Sequence, residues 1–171
     1  MAVKEEFDPY MFLVDVQNDR DGCSRRTLSF SRAPTVLLAF AANRFTRNSA
    51  REYLDRFGIG AMDWRMLVML TREPGCDAAR ASNAIGIDKG AVSRSLARLQ
   101  KQGLATFVSR ETDERRKSWR LTPKGDRLHD GILEVALKKL EATLDGFSKK
   151  DISELNRLLA KLVDNLDKQS G

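Results

Sequence analysis

A single histidine, His129, and two cysteines, Cys23 and Cys76, are all the histidine and cysteine that this 171-residue chain offers for zinc sites and nucleophilic triads. The cysteines form no C-x-x-C pair and neither has a histidine beside it, so a Cys/His zinc centre is excluded on composition. Any Ser-His-Asp or Cys-His arrangement would have to use His129, and no such constellation is in sight. No enzyme, metal or cofactor is expected. Also missing is a run approaching the roughly 18 consecutive apolar residues that a membrane span needs. The N-terminus, with Lys4, Glu5 and Glu6, lacks a basic leader followed by an apolar core, so the expectation is a cytoplasmic protein. What remains, 42% hydrophobic and 32% charged, suits one packed domain carrying an extra dimerisation element.

The formal charge of +6 is concentrated rather than spread. From 88 to 120 there are nine basic residues against four acidic ones, whereas from 131 to the end seven of each cancel. A localised basic face points to a polyanionic partner.

Local signals divide the chain. In the arm over 1–32, Asp8-Pro9 with Phe7 and Phe12 as a hydrophobic staple predicts a short helix, although the apolar run 10–16 also suits a strand. Pro34 opens a long helix that ends before Gly58, and a second helix carries Met62 to Leu70 up to Glu73-Pro74-Gly75. Asp77 caps a short helix ended by Gly86. Asp88 caps the next, which runs to Gln102 before Gly103. On that helix Val92, Leu96 and Leu99 share one face while Gly90, Arg94, Ala97 and Lys101 lie opposite, flanked by Ser93 and Arg98. A basic face with small side chains suits close approach to a phosphate-lined groove.

Two short strands follow, 104–109 and 118–122, with Arg110, Arg115, Arg116 and Lys117 at the hairpin tip. Thr122-Pro123 starts another helix. Ser148 with Asp151, and Phe147 with Ile152, start the last. Its stripe of Ile152, Leu155, Leu158, Leu159, Leu162 and Leu166 requires a partner surface.

The order helix, helix, short helix, basic-faced helix, two-stranded basic hairpin is that of a winged helix-turn-helix. The chain resembles the MarR family of bacterial transcriptional regulators, on Asp113-x-Arg115 followed by Leu121-Thr122 and Gly125, after Gly86-Ile87-Asp88-Lys89, Val92-Ser93-Arg94, Arg98-Leu99 and Gly103-Leu104. The match is close over 60–127 and looser from 33 to the end. It departs at Phe107, where the family commonly has arginine, and at Ala81-Ser82, where it has Leu-Ala.

The fold expected is therefore mainly α with a small β-hairpin wing: an N-terminal arm (1–32), a dimerisation helix (33–58), a winged helix-turn-helix lobe (59–125) and C-terminal dimerisation helices (126–171). The resemblance implies a homodimeric, sequence-specific DNA-binding regulator, a repressor answering a small-molecule or oxidative signal, bound to a pseudo-palindromic operator. Recognition helix 88–102 would enter the major groove and wing 104–122 would meet the minor groove. DNA contacts are expected from Lys89, Gly90, Ser93, Arg94, Arg98, Arg110, Asp113, Arg115, Arg116 and Lys117. An effector is expected near Phe40, Arg44, Arg47, Trp64 and Met66. Cys76 is the candidate redox thiol, with an inert role the favoured alternative for both cysteines. The competing function is a winged-helix protein-interaction or architectural module that does not read DNA sequence. Ser93, Arg94, Arg98 and Gly90 on the recognition face favour the regulator.

Overall fold

The structure is a computed structural model that describes residues 7–17, 22–110 and 113–169. The chain forms two compact units, 1–61 and 62–171.

The first unit holds the arm and the long helix. The short helix expected at Asp8-Pro9 exists for one turn only, as a 3-10 turn over Pro9–Phe12, with Asp8 Oδ1 accepting from the Tyr10 amide at 2.9 Å. Phe7 and Phe12 close the staple, their ring centres 5.8 Å apart. From Leu13 the backbone becomes a strand, so the helical reading of the rest of that apolar run is corrected. Strand β1 (Leu13–Gln17) pairs antiparallel with β2 (Ser24–Leu28), setting Asp15 opposite Arg26. The cause is the alternation of β-branched Val14 and Val16 with Asp15 and Gln17, which fits a pleated strand. The hairpin is rooted by two bonds, the Ser29 amide on the Phe12 carbonyl and the Arg32 guanidinium on that of Leu13. Helix α1 (Pro34–Phe57) starts at a proline and stops at Gly58 in the left-handed conformation.

The second unit begins with α2 (Ala61–Arg72), α3 (Ala78–Ile85) and α4 (Lys89–Lys101). Asp77 and Asp88 cap α3 and α4, accepting from the Arg80 and Ala91 amides at 2.8 Å each. Strands β3 (Ala105–Arg110) and β4 (Asp113–Leu121) form an antiparallel hairpin with Phe107 opposite Trp119 and Ser109 opposite Lys117. Helices α5 (Pro123–Thr143) and α6 (Lys149–Gln169) complete the chain. The core is built from Met66, Leu67 and Leu70 of α2, Val92, Leu96 and Leu99 of α4, and Ile132 of α5, all essentially without solvent contact.

The junction between α4 and the wing is locked to the start of α5. The Leu104 carbonyl accepts the Thr122 amide, and Thr122 Oγ1 donates to the Gly103 carbonyl while accepting the Gly125 amide. Gly125 approaches so closely that a Cβ there would lie 2.1 Å from the Leu104 oxygen. The Leu-Thr-x-x-Gly sequence is thus a packing requirement of the hairpin root.

Beyond this core, apolar side chains remain exposed. In α6 no residue is buried, and Leu155, Leu158, Val163 and Leu166 are exposed while Ile152, Leu159 and Leu162 are half-buried. Leu133, Leu137 and Leu140 of α5 and Leu37, Leu38, Phe45 and Leu54 of α1 are exposed too. Among the described residues no helix is long and apolar enough to cross a membrane.

Candidate nucleic-acid interface

Helix α4 is two-faced as its periodicity predicts. Val92, Leu96 and Leu99 are buried, and Lys89, Gly90, Ser93, Arg94, Ala97 and Lys101 are exposed. The guanidinium of Arg94 passes over Gly90, its Nη1 3.2 Å from where a Cβ would stand. The glycine therefore gives the arginine room to lie along the helix surface.

The wing lies beside this helix. Asp77 and Ala78 of the α3 start, Lys89 and Ser93 of α4, and Lys117 and Trp119 of β4 border a groove of about 340 Å³. Trp119 is buried and packs on Phe107 at 4.9 Å, and Lys117 Nζ sits 4.1 Å from the centre of the Phe107 ring. At Phe107, where the family commonly has arginine, the cation is brought instead by Lys117 from the opposite strand, held by the ring's negative face. The wing is also tied back to the turn after α2: the Gly75 amide donates to the Trp119 carbonyl at 2.7 Å and the Trp119 amide to that of Cys76 at 3.0 Å. Arg110, Asp113, Arg115 and Arg116 belong to the expected contact set, but their side chains lie outside the described residues.

Arg98 turns inward. Its Nε and Nη2 donate to Asp63 at 3.1 and 2.6 Å, and Ser95 Oγ donates to the same carboxylate. Asp63 and Ser95 are buried, and neither is among the residues expected to contact DNA. A signal existed: Asp63 occupies a position three and four residues before Met66 and Leu67, on the apolar stripe of α2. Ser82, at the other family departure, donates to the Ile87 carbonyl at 2.6 Å and so ties the α3–α4 turn.

The expected effector residues belong to both units. Phe40, Asn43, Arg44 and Arg47 line a recess of about 330 Å³ on α1. Arg44 lies over the Phe40 ring at 5.7 Å, and Phe30 meets that ring edge-on at 5.0 Å. Trp64 stacks on His129 at 5.4 Å. Met66 is corrected: with no exposed surface it is a core side chain that no ligand reaches, because α2 turns it inward with Leu67 and Leu70.

Cys76 is half-buried, and that burial, followed by the charges of Glu73 and Asp77, pushes its thiol pKa up. A reactive sensor thiol needs the opposite shift. In a Cys23→Ser protein, iodoacetamide should alkylate Cys76 at pH 8 more slowly than it alkylates glutathione. Alkylation at an equal or greater rate would restore Cys76 as a sensor. Among the described residues no group of three or more His, Cys, Asp or Glu side chains is placed to hold a metal.

These features agree with what the chain is similar to. The family model described as the MarR family matches residues 57–116. The HTH-type transcriptional regulator FarR of Neisseria gonorrhoeae is 27% identical over 113 residues, 66% of this chain and 77% of that one. A MarR/EmrR family transcriptional regulator from Acinetobacter sp. ADP1 superposes with a TM-score of 0.77 at 27% identity, over 82% of this chain and 99% of the other. A MarR family regulator from Listeria monocytogenes, complexed with 26mer DNA, shares the fold with a TM-score of 0.75 at 20% identity, over 81% of this chain and 91% of that one. The chain is thus similar to the MarR family of transcriptional regulators, in sequence over residues 57–116 and in fold over most of its length.

Proposed function

We infer that the protein is a homodimeric, sequence-reading DNA-binding regulator that represses by occupying a pseudo-palindromic operator and lets go when a small molecule binds. The observation that carries this is the exposed face of α4, where Lys89, Ser93 and Arg94 stand over a buried apolar face and beside Lys117 of the wing. Arg94 is the base-reading residue in the major groove, with Lys89 and Ser93 near the phosphates. Lys117, with Arg110, Asp113, Arg115 and Arg116 of the wing, serves the minor groove and its flanking phosphates. That the Listeria relative of the same fold was crystallised with DNA supports DNA as the partner.

Dimerisation falls to α1 and to residues 126–171, since the exposed leucines of α5 and α6 are of the kind that a second copy covers. The effector site is centred on Phe40, Arg44 and Arg47. An aromatic floor with two guanidinium groups in a recess of about 330 Å³ suits an aromatic carboxylate. The raised thiol pKa of Cys76 favours such a ligand over an oxidant.

Fluorescence anisotropy against the DNA upstream of the protein's own gene and a scrambled duplex, at about 50 and 200 mM salt, tests the central claim. A preference for one sequence that survives the higher salt is expected. Weak binding to both duplexes that vanishes with salt would favour the architectural module. Arg94→Ala should weaken sequence-specific binding by about 1–3 kcal/mol, whereas Lys117→Ala should weaken all duplexes alike and flatten the salt slope by about one phosphate. Unchanged affinity in both variants would remove α4 and the wing from the interface.

A further inference from the structure

We propose that Asp63 is a positioning residue for DNA reading, gripping the recognition helix through buried Ser95 and through Arg98 at the edge of its exposed face, so that Arg98 acts on DNA through Asp63 and not by touching a phosphate. This rests on α4 being the recognition helix, and it changes the role of one of the residues expected to contact DNA.

Three side chains carry it. Asp63 lies in the first turn of α2, its side chain 8% exposed. Its Oδ1 accepts Ser95 Oγ at 2.5 Å and Arg98 Nη2 at 2.6 Å, and its Oδ2 accepts Arg98 Nε at 3.1 Å. Ser95 and Arg98 are three residues apart, one turn along α4; Ser95 is buried, and Arg98, four residues after Arg94, flanks the exposed face. Two donors one turn apart on a single rigid carboxylate fix both the rotation of α4 about its axis and its position along it. The tolerance is small: rotating a helix by about 10° moves a side-chain tip some 6 Å from the axis by about 1 Å, which is enough to break a bidentate contact to a base.

The Arg98 side chain is half-exposed, yet its contact with Asp63 restricts where the guanidinium can go. Two of its nitrogens are committed to Asp63, and moving the guanidinium to a phosphate would leave a buried carboxylate held by Ser95 alone. An uncompensated buried charge is strongly unfavourable. Nor is the pair explained by stability, because an ion pair whose arginine is half-exposed contributes little. What it provides is one orientation of α4 over the neighbouring ones. The fork geometry matters here: a guanidinium presents Nε and Nη2 in one plane to both carboxylate oxygens, which an ammonium cannot do.

The test uses the full chain and a duplex that the wild-type protein itself selects from a randomised pool, with a scrambled duplex for comparison. Asp63→Asn, Arg98→Gln and their double variant are titrated over a salt series below their unfolding temperatures. Each single variant should lose about tenfold of its preference for the selected duplex, with an unchanged salt slope, and the double variant should be no worse than the worse single one. If Asp63→Asn does not fold, Arg98→Lys takes its place: it keeps the charge, loses the fork, and should lose the same preference. Arg98→Gln flattening the salt slope by about one unit would make Arg98 a phosphate contact and overturn the proposal while leaving the DNA reading intact. Lower thermal stability with undiminished preference would also overturn it, by reducing the clamp to a structural role. Failure of the wild-type protein to select any sequence would overturn both the proposal and the reading beneath it.

Discussion

Gly125→Ala is expected to lower the midpoint of thermal unfolding by roughly 10 °C, the consequence of about 3 kcal/mol or more of overpacking in a chain of this size. The sign opposes intrinsic propensity, since alanine in a helix is ordinarily about 1 kcal/mol better than glycine. Here the added Cβ would meet the Leu104 oxygen at 2.1 Å and its carbon at 3.0 Å. That oxygen is backbone, already accepts the Thr122 amide, and follows directly on the turn held by Thr122 Oγ1 and by Lys124 Nζ on the Gln102 carbonyl. None of these atoms can swing aside as a side-chain end would. Gly60, where a Cβ meets nothing within 4 Å, is the control, and Gly60→Ala should leave the midpoint within a few degrees. Calorimetry on both variants checks this. Equal midpoints would mean that the hairpin root relaxes and that the glycine is not a packing requirement.

Removing residues 148–171 is expected to abolish the dimer and, with it, specific DNA affinity by at least about 100-fold, because the second half-site is then no longer bound intramolecularly. Helix α6 has its own start signal: the Ser148 amide donates to Asp151 at 3.0 Å and the Asp151 amide to Ser148 Oγ at 3.2 Å. It also has no buried residue. A self-starting helix with exposed leucines fits a segment completed by another copy. Leu158→Glu is the subtler version, leaving the chain whole while placing a charge on the stripe. Sedimentation equilibrium decides, and a well-behaved dimer from either protein would move the interface elsewhere.

Much of this architecture was legible because its signals are local. Asp77, Asp88 and Ser148 each bond an amide or side chain within three residues, and glycine follows α1, α3 and α4, so helix limits can be read from short windows. The two faces of α4 were legible for the same reason, since a period of 3.6 sorts Val92, Leu96 and Leu99 from Gly90 and Arg94 without reference to any other element. The arm was read less well. A cap followed by an apolar run suits a helix or a strand until a partner strand is known, and Ser24–Leu28 supplied that partner.

The effector and contact residues divide along the same line. Phe40, Arg44 and Arg47 share one helix face at spacings of three and four, and they do line one recess. Met66 carried no mark to separate it from an exposed neighbour, and only the packing of α2 encloses it.

The sequence alone determined the order of the elements, their ends, the basic face of α4 and the family resemblance, since each depends on residues within a turn or two of one another or on a contiguous motif. Tertiary structure decided that Arg98 is paired with Asp63, 35 positions away. It also decided that Gly125 is pressed against Leu104, and that Lys117 reaches Phe107 from the next strand. Such pairings depend on which surfaces meet when the core closes, and a linear pattern offers each arginine or glycine many partners of equal local merit.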